Sequence, residues 1–173
     1  MQSLLIVALS IVACVFFGIV HDQITARICV EYFTIGHPVI VPTRNPTTLA
    51  FLWGVIATWW VGAILGGLLA IASRFGKRPK LSAKSLVRPI LRLLCVVAMF
   101  AVLAGIAGYI AALNNWVWLV GDLADRVPDQ SHVPFLVNMW VHSASYFAAF
   151  VGGITLIAMV WRSRRDLPHE SAG

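Results

Sequence analysis

The sequence predicts an all-α membrane protein of four transmembrane helices, and three observations carry that prediction. Hydrophobic residues make up 60% of the 173-residue chain and charged residues 12%, against roughly 45–50% and 25% in a soluble domain. Four apolar stretches are each long enough to cross a hydrocarbon layer about 30 Å thick, which offers the backbone no water to bond. No polar segment between them exceeds about 30 residues, too few for a separate soluble domain. Residues 1–173 therefore read as a single transmembrane domain.

The first stretch, Leu4 to Val20, holds only Ser10 as a polar side chain. It runs into the segment HDQITARICVEYFTIGHP at 21–38, where Gly36 and Pro38 supply a helix stop. The pattern predicts one helix over about 4–35, roughly 48 Å long at 1.5 Å per residue, extending beyond the bilayer on its outer side. A targeting peptide is the competing reading, because IVAC at 11–14 resembles a lipoprotein processing site. Met1-Gln2-Ser3 brings no basic start, so the segment is expected to stay as an anchor.

The second helix is expected over 49–73, with Thr47 and Thr48 after Asn45-Pro46 as its N-cap. A third is expected over about 87–113, with Pro89 in its first turn where the missing N–H costs little. The fourth is expected over about 136–161, just after Pro134.

Basic residues set the orientation, since basic loops stay on the cytoplasmic side. Arg74, Lys77, Arg78, Lys80, Lys84 and Arg88 crowd the link between the second and third helices, and Arg162, Arg164 and Arg165 follow the fourth; only Arg27, Arg44 and Arg126 fall on the other side. Both termini are thus expected in the cytoplasm, with 21–48 and 114–135 outside. The net charge of +6 reflects this topology and anionic headgroups, and a nucleic-acid partner is not expected. Trp116, Trp118, Trp140 and Trp161 suit interfacial belts. Cys14, Cys29 and Cys95 are isolated thiols, which excludes a CxxC redox or zinc motif.

Ionisable residues at membrane depth are expensive and turn inward, so they mark the expected site. Gln23, Arg27, Glu31 and Thr34, spaced 4, 4 and 3, form a polar stripe on the first helix. On the fourth, Asn138 and His142 are four apart, with Ser145 three and Tyr146 four beyond. With Tyr109 near the end of the third helix, they predict a polar layer of His21, Asp22, Arg27, Glu31, His37, Tyr109, Asn138, His142 and Tyr146. His21, Asp22, Glu31, His37 and His142 are its expected metal ligands, because imidazole with carboxylate suits Zn, Fe, Mn or Cu. There is no HExxH, so the ligands must converge from separate helices. A haem between His21 and His142 is a weaker expectation. Proton transfer by Glu31 or Asp22 with His142 on a lipid-like or quinone-like substrate is another. No catalytic residue or cofactor is assigned beyond these.

Blander readings stand beside them. Arg27 and Glu31 can form an internal ion pair. His142 can bond a backbone carbonyl or Tyr109, and His132 and His169 can be merely solvated. Asp122, Asp125 and Asp129 read as a solvated acidic loop with a helical turn rather than a calcium site, which would need EF-hand spacing and glycine. Small residues mark close helix packing at Gly62 and Gly66, at Ala104, Gly108 and Ala112, and at Ala144, Ala148 and Gly152, within the chain or against a second copy or membrane partner.

The segments HDQITARICVEYFTIGHP, LAFLWGVIATWWVG and VHSASY resemble parts of a group of small, uncharacterised bacterial integral membrane proteins, over about a quarter of the chain. The resemblance implies a bacterial membrane protein of four helices and carries no activity with it; the expected location is the inner membrane. Three functional classes follow: a metal- or ligand-binding membrane protein or enzyme, a structural subunit of a larger complex, and, third, a transporting or conducting unit, disfavoured because four helices leave little room for a pore.

Overall fold

The computed structural model describes residues 1–165, so His169 and the C-terminus lie outside the described residues. Its helices are α1 (Gln2–Ile28), α2 (Val30–Thr34), α3 (Pro46–Ile56), α4 (Trp59–Arg74), α5 (Ala83–Leu113), α6 (Asp122–Arg126) and α7 (His132–Ser163), with a 3₁₀ turn at Asp129–Ser131. Four helical segments, Gln2–Ile28, Pro46–Arg74, Ala83–Leu113 and Asp129–Ser163, are long and apolar enough to cross a membrane.

Around the bundle α1 packs against α3, α4 and α5, and α7 against α4 and α5, so α1 and α7 face each other across the diagonal. This order places the second half of α1 opposite the first half of α7 at one end, which we call the histidine end. The opposite, arginine end contains the start of α1, the α4–α5 link and the end of α7.

The continuous helix expected over 4–35 is broken. Cys29 is extended (φ −153°, ψ 104°) between α1 and α2. The cause lies on α7: fully buried Asn138 donates from Nδ2 to Thr25 O at 2.9 Å and to Cys29 O at 3.3 Å. Cys29 N–H still reaches Thr25 O at 3.0 Å, and the side chain holds the carbonyls on both sides of the bend, where the chain redirects.

The second span is also divided, at Ala57-Thr58, where Thr58 Oγ1 bonds back to Gly54 O. Its N-cap is Asn45, whose Oδ1 accepts from Thr48 N at 3.0 Å with Pro46 at the first helical position, and not the threonines themselves. The third span begins four residues before the expected start, capped by Ser82, so Pro89 sits in its second turn. The fourth begins at His132, which sets His142 about 15 Å in from its start rather than 9 Å. The Asp122–Arg126 turn is a short helix with Arg126 Nη1 on Asp122 Oδ2 at 3.0 Å.

Close approach between α1 and the second span depends on absent side chains. A Cβ on Gly54 would fall 2.6 Å from Ile19 Cα, and one on Gly62 2.7 Å from Ile11 Cα. Gly66 likewise abuts Ser10, and Gly152 abuts Leu93. Gly62, Gly66 and Gly152 of the small-residue seams are thus in close contact within the chain.

At the arginine end, Arg164 is 0% exposed. Its Nε donates to Pro79 O (2.7 Å), Nη1 to Ala72 O (2.6 Å), and Nη2 to Phe75 O and Arg78 O (both 3.0 Å). Arg78 lies over the Trp161 ring at 4.6 Å and donates to Trp161 O. This guanidinium fixes the α4–α5 link and caps the carbonyl end of α4.

Candidate metal centre

Three potential ligands converge at the histidine end. His21 and Asp22 come from α1 and His142 from α7, and one ligating atom from each lies within 4.8 Å of the others. His21 Nδ1 is 3.0 Å from Asp22 Oδ1, and His142 Nε2 is 3.9 Å from the same oxygen. Tetrahedral ligands about 2.1 Å from a metal stand roughly 3.4 Å apart, so the two spacings to Asp22 need adjustments of about half an ångström, while the imidazole nitrogens, within 4.8 Å of each other, have up to about 1.4 Å to close.

Helix geometry explains who meets whom. His21, Thr25 and Cys29 follow one another at four-residue steps on α1, while Asn138, His142 and Ser145 occupy the facing strip of α7. The two strips interlock one turn at a time. Asn138 holds Thr25 O and Cys29 O, His142 Nε2 reaches Thr25 Oγ1 at 3.3 Å, and Ser145 Oγ lies 3.2 Å from His21 Nε2. The imidazoles of His21 and His142 meet edge to face at 4.5 Å, and Tyr32 stacks on His142 at 4.6 Å. Rings in direct contact leave no slot for a porphyrin between them, so the bis-histidine haem does not fit.

The electrostatics of this cluster are unbalanced. Asp22 is 5% exposed, and the groups within ion-pair distance of it among the described residues are His21 and His142. No lysine or arginine meets it there. A carboxylate at this depth needs a positive charge close by. Ser145 gives its one hydroxyl proton to Val141 O at 2.9 Å, so His21 Nε2, 3.2 Å from Ser145 Oγ, is the donor in that contact. A singly protonated His21 then has a bare Nδ1 beside a carboxylate oxygen, a pair that either a shared proton or a metal ion satisfies.

A cavity of about 100 Å³ adjoins the cluster, bordered by Asp22, His37, His142 and Tyr146. At about 30 Å³ each it has room for roughly three waters. His37 donates from Nδ1 to Tyr32 O at 2.8 Å, since a carbonyl only accepts; this fixes its neutral tautomer and frees Nε2 as an acceptor. Its ring packs against Trp53 at 4.6 Å and Phe33 at 5.7 Å.

The rest of the expected layer disperses. Glu31 pairs with Arg44 at 2.5 Å, and Arg27 turns to Gln23 Oε1 and Thr47 Oγ1, so the Arg27–Glu31 ion pair does not form. Burial alone would raise the Glu31 carboxyl, but its own backbone N–H, Arg44 and the Cys29 thiol outweigh that and hold it below its ordinary 4.5. Burial, opposed in part by the Tyr32 backbone, pushes the Cys29 thiol up to about 11. Tyr109 is 50% exposed on the opposite side of α1 from the cavity, bonded neither to His142 nor to any other described residue. Thr25, which contacts His142, was missing from the expected set, while Ser145, which contacts His21, stood on the expected polar face of the fourth helix but outside the layer. The four-residue step from His21 to Thr25 was the available signal.

No protein-family model, curated protein or solved structure matches the chain.

Proposed function

We propose that this is a multi-pass protein of the bacterial inner membrane that binds a divalent transition metal through His21, Asp22 and His142. Both termini are cytoplasmic, and the metal lies below the outer surface. The orientation rests on nine basic residues flanking the spans at the arginine end against three flanking them at the histidine end. The metal reading rests on one observation, that buried Asp22 has two imidazoles and no fixed cation around it.

Two nitrogens and one carboxylate oxygen suit Zn²⁺ or Fe²⁺ with an open coordination position. Tyr146 and the Nε2 of His37 border the adjoining small cavity and would be placed to exchange protons with water held there. Such a water is nucleophilic near neutral pH on zinc. The cluster would thereby act as a membrane-embedded metal site rather than a tie between helices.

A second reading has a specific observation behind it. A doubly protonated His21 satisfies Asp22 and Ser145 at once, and the cluster is then a closed imidazolium–carboxylate pair in a structural subunit. Elemental analysis of detergent-purified protein after loading with Zn²⁺ or Fe²⁺ separates them. The metal reading expects about one ion per chain, lost in His21→Ala and His142→Ala. An intact protein without stoichiometric metal under both loadings leaves the proton-closed pair.

A further inference from the structure

On the other side of α1 from the cluster, a groove of about 530 Å³ runs between α1, α5 and α7. Its α5 wall is cut back by Ala98, Ala101 and Gly105, at the three- and four-residue steps that share one helix face. It extends along α1 from Ile28 to Phe17, about 17 Å of helix rise. His21 separates it from the cavity, about 10 Å below Ile28, and Tyr109 stands at its mouth. Apart from His21, Thr25 and Tyr109 its lining is apolar, and no charged residue borders it.

Dimensions decide among occupants. The groove runs about 17 Å along α1, whereas a partner helix needs about 30 Å of length to cross a membrane. The groove is too short for a partner helix. Its position between helices that cross the membrane supplies hydrocarbon, not water, at its open side, and an uncharged lining offers nothing to a soluble ion.

We infer that the groove binds one hydrocarbon chain of a membrane lipid, lying along α1 with its polar end at the Tyr109 mouth and its middle against the His21 imidazole. This goes beyond the metal reading and does not depend on it. If both hold, His21 is touched by metal on one side and by lipid chain on the other.

The test uses a long-chain fatty acid carrying a mid-chain diazirine, with the full-length protein in phospholipid nanodiscs and cross-links mapped by mass spectrometry. Labelling is expected at Ile24, Val102 and Ile106, and excess unlabelled fatty acid should suppress it there. Labelling at exposed Phe147 and Phe150 should resist the competitor, as for ordinary annular lipid. Ala98→Phe fills the groove from an exposed position and should reduce groove labelling several-fold; Val102→Trp provides a second filling variant should the first fold poorly. Labelling at the groove that resists competition, or that survives both fillings in folded protein, overturns the proposal. Repeating the experiment on chelator-washed protein separates the two readings, since the lipid result should persist without metal.

Discussion

Arg164 and Asp22 lie at opposite ends of the bundle and are almost equally buried, 0% and 5% exposed, yet their surroundings have nothing in common. Arg164 spends four of its five donors on backbone carbonyls at the end of α4 and in the link that follows it. Each of its three nitrogens has a carbonyl partner, and the result is a fixed link. Asp22 is surrounded by side chains that hold one another, with a carboxylate unmet by arginine or lysine and only imidazoles within ion-pair distance among the described residues. Burial alone says little about purpose. What separates a structural polar group from a binding one here is whether its charge and lone pairs are satisfied before any guest arrives.

The contrast breaks most visibly at Arg164. Arg164→Met removes a charged donor from four carbonyls, and hydrogen bonds to charged groups contribute about 1.5–3 kcal/mol each, so a loss of about 3 kcal/mol or more is expected. Denaturant unfolding in detergent measures it. Arg164→Lys should recover only a minor part, because an ammonium cannot reproduce the planar fork. Metal content per folded chain should not change in either variant.

Asp22→Asn should act in the opposite sense. It removes a buried charge with no fixed partner, so thermal stability of the metal-free protein should hold or rise. Metal affinity, followed by competition with a chromogenic chelator, should fall by more than the 10–100-fold typical of an outer-shell change. Loss of stability without loss of affinity would make Asp22 a structural residue like Arg164. Ser145→Ala tests the support beneath the site: metal affinity should drop about 10–100-fold while the three ligands remain.

The smallest effect concerns Glu31 and Arg44, whose ion pair is exposed on the arginine side and contributes no more than about 1 kcal/mol. The folded Glu31 value lies below its ordinary 4.5. The contribution is therefore complete above about pH 5 and is lost as pH falls through the lowered value. Hydrogen exchange in the 36–45 loop, measured down that range, should show it, and Glu31→Gln should abolish the pH dependence.

Apolar length made the four spans legible in the sequence, because a membrane-crossing helix must satisfy its own backbone and leaves a long unbroken signal. The meeting of His21 and Asp22 with His142 was legible for a related reason: charged and imidazole groups in so apolar a setting have few places to go. The breaks were not. Neither Cys29 nor Ala57-Thr58 is a glycine or proline; one break is made by Asn138, more than a hundred residues away, and the other by a threonine bonding back to its own turn. Glu31 was misplaced because periodicity assigns a helix face, and the short α2 beyond the break turns that face toward Arg44. Arg164 was read for its charge alone, since nothing in the local sequence announces that four carbonyls at the end of α4 and in the link after it will enclose it.

Metal K-edge X-ray absorption on the zinc-loaded protein tests the central claim most directly. The account predicts a nitrogen and oxygen shell at about 2.0–2.2 Å with imidazole scattering from two histidines, reduced to one in His142→Ala. A sulfur shell, or a spectrum without imidazole, would contradict it.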